Sequence, residues 1–212
     1  MIQSDVRPAA AALLAAVIEA VIEAVIEAGA MIRAEFHRSG GPRGGWATAP
    51  IDIAVDAVLN ASLRALLPCA FVQKSAMSPP AADNVWVVAP RDGTRGFLAR
   101  RRGSAVSVAL LRDCRSILGV VFAPVGPDNR GDLIARAEGA TLTRDDQAIQ
   151  RGAAGEPAVV AMNADAANYA AQNHETLPGI RIRALPSPAC RPALAAVAEV
   201  DAAVSLTRGL EH

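Results

Sequence analysis

The stretch Val85-Trp86-Val87-Val88-Ala89-Pro90-Arg91-Asp92-Gly93-Thr94-Arg95-Gly96-Phe97 carries the most specific chemistry of the chain. Val85 to Val88 is a continuous apolar run rich in β-branched side chains, as in a strand covered on both faces. Pro90 has no N–H to give to a ladder, so the strand is expected to stop there. Asp92-Gly93 is turn chemistry, because Gly accepts a positive φ and Asp bonds its own backbone. Thr94 then offers a hydroxyl and backbone N–H groups at the carboxyl end of the strand, where open α/β sheets place ligands. Lys74, Arg91 and Arg95, with the N–H groups of Gly93 and Thr94, form a candidate anion cradle, since turn nests and guanidinium groups hold phosphate without a metal. The alternative is that these arginines are solvated loop residues.

The rest of the chain must position that turn. At 212 residues there is room for one large domain or two small ones. A hydrophobic content of 52% is ample for a core, and aromatics at only 3% require that core to be aliphatic. The formal net charge of +0 supplies no global field for nucleic acid or an anionic membrane. Lys74 is the sole lysine, so nearly all positive charge is guanidinium. Cys69, Cys114 and Cys190 are odd in number and lack ligand spacing, which reads as reduced, mostly structural thiols in a cytoplasmic protein. Glu19, Glu23 and Glu27 interrupt the apolar N-terminus, and no cleavage site follows a basic start, so neither a membrane span nor a leader is expected.

Pro8 to about Glu35 is expected to be a helix, with Val-Ile-Glu-Ala in three tandem copies from Val17 to Ala28. A four-residue repeat drifts about 40° per copy, so Ile18, Ile22 and Ile26 should form a slowly spiralling apolar ridge beside an acidic one. That helix either covers the core or packs on a partner subunit. Ser39 to Gly45 reads as a loop. Asp52 to Leu67 reads as a second helix with Ile53, Val55, Val58, Leu59, Leu63 and Leu66 on its apolar face. Phe71-Val72 is a short strand. Ala105 to Leu111 and Ile117 to Phe122 form a hairpin about Arg112 to Arg115. A further strand pair is expected at Leu133 to Ala137 and Ala140 to Thr143, and a polar boundary from Arg144 to Glu156. Strands at Ala158 to Met162, Ile180 to Leu185 and Ala202 to Leu206 then alternate with helices at Ala164 to Glu175 and Cys190 to Ala198. Such alternation argues an α/β layer.

The signature stretch resembles the Asp-Pro-Ile-Asp-Gly-Thr motif of the inositol monophosphatase family, with Ala89 where the first aspartate belongs. The resemblance continues through Ala105 to Leu111 and Leu118-Gly119-Val120-Val121-Phe122-Ala123-Pro124. Asp52-Ile53-Ala54-Val55-Asp56 is similar to the family's Thr-x-x-Asp segment, and Arg191 to Asp201 to its substrate-side helix. These matches run from about residue 8 to residue 206 in the family's order. The branch that hydrolyses 3′(2′),5′-bisphosphonucleotides matches as well as the inositol phosphatases proper. The resemblance implies an α/β fold, a layered α-β-α-β-α phosphatase with an incomplete C-terminal layer. It also implies an N-terminal α+β domain over residues 1–150, which carries the Asp-Gly-Thr turn, and a partial C-terminal α/β domain over residues 151–212.

The family holds two or three Mg²⁺ ions with carboxylates and attacks a phosphate monoester with a metal-bound water. Carried over, Asp92 is a metal ligand, Thr94 and Asp52 are catalytic, Gly93 and Thr94 bind phosphate, and Arg191 lies on the substrate side. Other ligands are lost. Lys74-Ser75-Ala76 stands where the family has Glu-Glu-Ser, and Ala49 where it has threonine. The last metal ligand sits in a Trp-Asp pair after the final strand, and this sequence ends at Leu210-Glu211-His212 before reaching one. That ending reads either as the start of a vector tail or as native sequence cut short. An ammonium and a methyl where carboxylates belong oppose divalent binding, because Mg²⁺ needs more than one carboxylate.

Three readings follow: a degenerate, weakly active or inactive member; an active Mg²⁺-dependent phosphatase on inositol phosphates or 3′-phosphoadenosine 5′-phosphate; and a metal-free anion-binding or scaffold protein. Mg²⁺ is the cofactor of the active reading, and the others need none. The expected partners are a phosphorylated small molecule and further copies of the chain, with no nucleic acid polymer and no membrane. Arg100-Arg101-Arg102 reads as a solvated turn, His37 and His174 as surface residues, and Asp145-Asp146 as a loop pair.

Overall fold

The computed structural model describes residues 6–45, 48–73, 82–126, 128–149 and 158–205. Helices α1 (Val6–Phe36) and α2 (Pro50–Leu66) lie against one face of a seven-stranded sheet. Its strands follow chain order: β1 (Ala70–Gln73), β2 (Asn84–Asp92), β3 (Ala105–Arg112), β4 (Arg115–Ala123), β5 (Asp132–Ala137), β6 (Thr143–Arg144) and β7 (Gln147–Ala148). β1 runs parallel to β2 and every later pairing is antiparallel. The five-residue α3 (Thr94–Leu98) follows β2 directly.

A second, parallel sheet has the order β10 (Ala202–Ala203), β8 (Val159–Asn163), β9 (Arg181–Leu185). A 3-10 segment at Ala164–Tyr169 and α4 (Ala170–Thr176) connect β8 to β9, and α5 (Cys190–Ala196) follows β9. The fold is mixed α/β. Trp86, Phe97, Ile32, Leu59, Leu63 and Leu118 anchor the core beneath α1 and α2. On the opposite face of the large sheet, Ile134 and Val121 meet Ala193 and Leu194 of α5, which also touch Ala161 and Leu185 of the small sheet. The layers therefore run helix, sheet, helix, sheet.

Four expectations need correction. In α1 the buried ridge is Val21, Val25, Ala28 and Ile32, while Ile26 is 46% exposed and Ile18 and Ile22 are half-buried. The four-residue repeat carries the isoleucines off the contact line within three copies. On α2 the buried face is Val55, Leu59 and Leu63, and Ile53 is 78% exposed. β2 does not stop at Pro90 but continues to Asp92. Its register against β3 shifts between Ala89, opposite Ser107, and Asp92, opposite Ala105, so Pro90 lies in a bulge where the ladder asks for no N–H. The partner of β5 is Thr143–Arg144, which turns at Asp145-Asp146, both with positive φ, into β7. Arg144 belongs to the sheet because its guanidinium forks onto Asp132 at 2.8 and 3.0 Å.

Smaller boundaries also moved. The β3–β4 turn is Asp113-Cys114, with φ of 48° and 61°, as tight hairpins prefer. The Ala164 to Glu175 helix is broken into the 3-10 segment and α4. The expected end of the last strand at Leu206 lies outside the described residues.

Glu35, near the end of α1, is buried and accepts hydrogen bonds from Arg43 N (2.7 Å), Nε (3.0 Å) and Nη2 (2.8 Å). This pins the loop leading into α2. The Arg43 hydrogen bonds hold the Glu35 carboxyl down from 4.5 to about 2. A depressed carboxylate stabilises the fold fully above its unfolded value and loses that contribution as pH falls through its folded value. The window is therefore from about 4.5 down to about 2. Glu35→Gln is expected to lower stability at neutral pH and to flatten the pH dependence inside that window. Urea unfolding at neutral pH and at pH about 3 checks this, and an equal loss at both would contradict it.

Candidate functional site

The bulged end of β2 and the turn after it deliver Arg91, Asp92, Gly93 and Thr94 to one place, each with a different job. Gly93 has φ +82°, and a Cβ there would meet the Pro186 carbonyl carbon and Cβ at 3.0 Å and Ser187 N at 3.1 Å. Backbone conformation and close approach both demand glycine. Gly93→Ala is expected to cost about 1–2 kcal/mol from backbone strain alone and to push Pro186-Ser187 away. An unchanged melting temperature would contradict this.

Arg91 turns inward. Its Nε and Nη2 donate to Asp52 Oδ1 at 2.7 Å and Oδ2 at 2.8 Å, the bidentate fork of a guanidinium on a carboxylate. The Arg91 side chain is 0% exposed and that of Asp52 30%. The guanidinium carbon lies 4.2 Å from the Phe97 ring centroid, a cation–π contact closing the other side. Nη1 is buried with no hydrogen-bond partner among the described residues. Asp52 sits in the first turn of α2 and also accepts from Ala49 N at 3.3 Å, so both of its oxygens are engaged.

Asp92 is buried and faces the second sheet's side of the molecule. Its Oδ2 accepts from Ala189 N at 3.1 Å and from Ser187 Oγ at 3.5 Å, and Ser187 Oγ accepts from Cys190 N at 3.1 Å. Asp92 thereby holds the residues that open α5. Arg191, buried and expected on the substrate side, donates through Nη1 to the Leu185 carbonyl (3.2 Å) and through Nη2 to Ser205 Oγ (3.0 Å). Burial draws its guanidinium below the ordinary arginine value.

Thr94, Arg95, Arg101 and Arg191 come together with Gly93, Asn163, Asp165 and Ser205 around a cleft of about 530 Å³. Three arginines and one aspartate line it, a balance that favours an anionic ligand. Thr94 and Gly93 are half-buried and Arg95 is exposed on the rim. Lys74 lies outside the described residues; among the described members of the expected cradle, Arg95 and the Gly93-Thr94 turn line the cleft. Arg91 points instead at Asp52. A second cavity of about 520 Å³ opens beyond Leu185, but Arg144, Arg183, Asp132 and Glu199 on its wall pair with one another.

The described side chains around this turn do not assemble a magnesium centre. The Ala89 side chain offers no oxygen, both Asp52 oxygens are engaged, and Asp92 Oδ2 is committed to Ala189 and Ser187. Among the described residues no group of three or more His, Cys, Asp or Glu side chains is placed to hold a metal ion. Ser187, Arg101 and Asn163 were not among the expected site residues. Arg101 lies in the Arg100-Arg101-Arg102 run, and only the fold separates it from Arg102, which donates to the Gly126 carbonyl. His37 and His174 are exposed, as expected.

Comparison with known proteins agrees with this architecture. The chain is 39% identical over 80 residues to the 3′(2′),5′-bisphosphate nucleotidase CysQ of Salmonella typhimurium, and equally to that of Escherichia coli strain K12. Each match covers 35% of this chain and 32% of the relative, about one third of the relatives' length. The crystal structure of extragenic suppressor protein suhB from Bartonella henselae superposes with a TM-score of 0.71 at 19% identity, covering 87% of this chain and 76% of that one. The inositol monophosphatase from Anabaena gives 0.69 at 20% identity, covering 91% and 75%. At such identities these structures establish the fold alone. The model of the inositol monophosphatase family matches residues 13–209. With the layered α/β fold, the Asp92-Gly93-Thr94 turn and this match in place, the chain belongs to the inositol monophosphatase family.

Proposed function

We propose that this chain binds a phosphorylated small molecule in the cleft beside Gly93 and Thr94 without Mg²⁺, and hydrolyses it weakly or not at all. One observation carries the reading: the Arg91 guanidinium occupies Asp52 bidentately at 2.7 and 2.8 Å, where a hydrolase of this family would need that carboxylate free. Arg95, Arg101 and Arg191 supply positive charge that in a metal enzyme comes from the ions, and the Gly93-Thr94 amides add neutral donors. The ligand class follows from kinship. The 39% identity to a bisphosphate nucleotidase favours a nucleoside bisphosphate, and the family name keeps inositol phosphates as the other candidate. Asn163 and Asp165, hydrogen-bonded to each other at the cleft wall, are the polar groups this reading offers to hydroxyls beyond the phosphate.

The retained Asp92-Gly93-Thr94 triplet supports a second reading, an active Mg²⁺-dependent phosphatase. Phosphate release from 3′-phosphoadenosine 5′-phosphate and inositol monophosphates, with and without Mg²⁺, separates the two. No Mg²⁺-dependent release is expected. A clear Mg²⁺-dependent signal that disappears in Asp92→Asn and Thr94→Ala would overturn the first reading in favour of the second.

The remaining expectations belong to the same proposal: a division near residue 150 between two domains, a cytoplasmic location, and a homo-oligomer. Cys69, Cys114 and Cys190 are free thiols, and no helix among the described residues is long and apolar enough to cross a membrane.

A further inference from the structure

We propose that the Arg91 guanidinium is a resident cation: it pairs with the site carboxylate Asp52 beside the Asp92-Gly93-Thr94 turn and closes the site to Mg²⁺ and Mn²⁺. This deepens the reading above and rests on it.

The geometry is that of a filled cation site. Two nitrogens of the guanidinium engage both oxygens of one carboxylate, the Phe97 ring covers a face, and the Arg91 side chain is 0% exposed. The third nitrogen, Nη1, is buried without a partner among the described residues. An arginine kept only for packing has no reason to bear that cost, because an aliphatic side chain would fill the same volume with no orphaned donor. The family motif has an aliphatic residue, isoleucine, at this position. Here the strand has also lost a carboxylate at Ala89, two residues earlier. Loss of an anion at 89 and gain of a cation at 91 are complementary changes on one strand end. With isoleucine at 91 and no metal, Asp52 would keep only the Ala49 N–H and water as partners. With arginine at 91, a divalent ion would meet both a like charge at short range and a site carboxylate already engaged.

The test uses the full chain with Mg²⁺ or Mn²⁺ alone, read by titration calorimetry and by melting temperature, so that no turnover is needed. The native protein is expected to show no saturable heat and the same melting temperature in metal and in EDTA. Ala89→Asp with Arg91→Ile is expected to gain saturable Mn²⁺ binding, at least about tenfold above the native limit. Saturable binding by the native protein overturns the proposal. So does a folded double variant as silent as the native chain, which would leave the weak-hydrolysis reading standing and reject only the role of Arg91. If the double variant fails to fold, Ala89→Asp combined with Arg91→Met and Ala89→Asp combined with Arg91→Lys decide. Mn²⁺ binding gained by Met and withheld by Lys is expected, and equal behaviour of the two overturns it.

Discussion

Asp52→Ala is expected to destabilise the protein by about 3–4 kcal/mol, more than the roughly 2 kcal/mol expected for Arg91→Met. The asymmetry comes from exposure. Removing Asp52 strands a guanidinium whose side chain is 0% exposed and whose third nitrogen already lacks a partner among the described residues. Removing Arg91 leaves Asp52, which is 30% exposed and regains water. Met also keeps much of the apolar contact with Phe97. Asp52→Ala further removes the carboxylate that accepts from Ala49 N at the start of α2. Urea unfolding of the two single variants and the double variant gives the coupling directly, and the double is expected to be less destabilised than the sum of the singles. A stabilising Asp52→Ala would contradict the pairing. That is the behaviour expected of a carboxylate held in the open for a metal ion, where its removal relieves repulsion.

Asp92→Ala is expected to cost about 2–3 kcal/mol and to loosen the start of α5. The carboxylate takes the Ala189 N–H and the Ser187 hydroxyl, and that hydroxyl takes the Cys190 N–H, so one truncation breaks a chain of buried bonds. Asp92→Asn keeps one oxygen acceptor and should retain more than half of the stability lost in the alanine variant. The local signature is faster amide exchange at Ala189 and Cys190, with little change in the α1–α2 layer. Uniform acceleration across the molecule would contradict a role confined to this junction. A metal-ligand role alone would move neither measurement in the absence of metal.

Much of the fold was legible because its signals are local. The Val85–Val88 run, the Asp92-Gly93 turn and the hairpin around Asp113-Cys114 each rest on residues within a few positions of one another. Pro90 misled because its missing N–H argues against a ladder, and nothing local says that a bulge will spare it. The isoleucine ridge failed for a related reason: the repeat fixes which residues align on α1, but which line meets the sheet is decided by α2 and β4. The site was legible in its turn and not in its partners. Arg91 pairs with Asp52 across 39 positions and Asp92 with Ser187 across 95, and no spacing rule reaches so far. An arginine replacing an aliphatic motif residue was the visible clue, and its natural reading as an outward anion binder was reversed by the inward fork to Asp52. Arg191 lines the same cleft as the turn and is held there by Leu185 of β9 and by Ser205, contacts that no local spacing announces.

The most direct measurement is calorimetric titration of the native chain with 3′-phosphoadenosine 5′-phosphate and with inositol 1-phosphate, once in EDTA and once in millimolar-scale Mg²⁺. Saturable binding of at least one of them in EDTA is expected, with an affinity that changes by less than about threefold when Mg²⁺ is supplied. Binding that appears only with Mg²⁺ would contradict the account, since the ion would then be doing what the arginines of the cleft and Arg91 are here assigned to do.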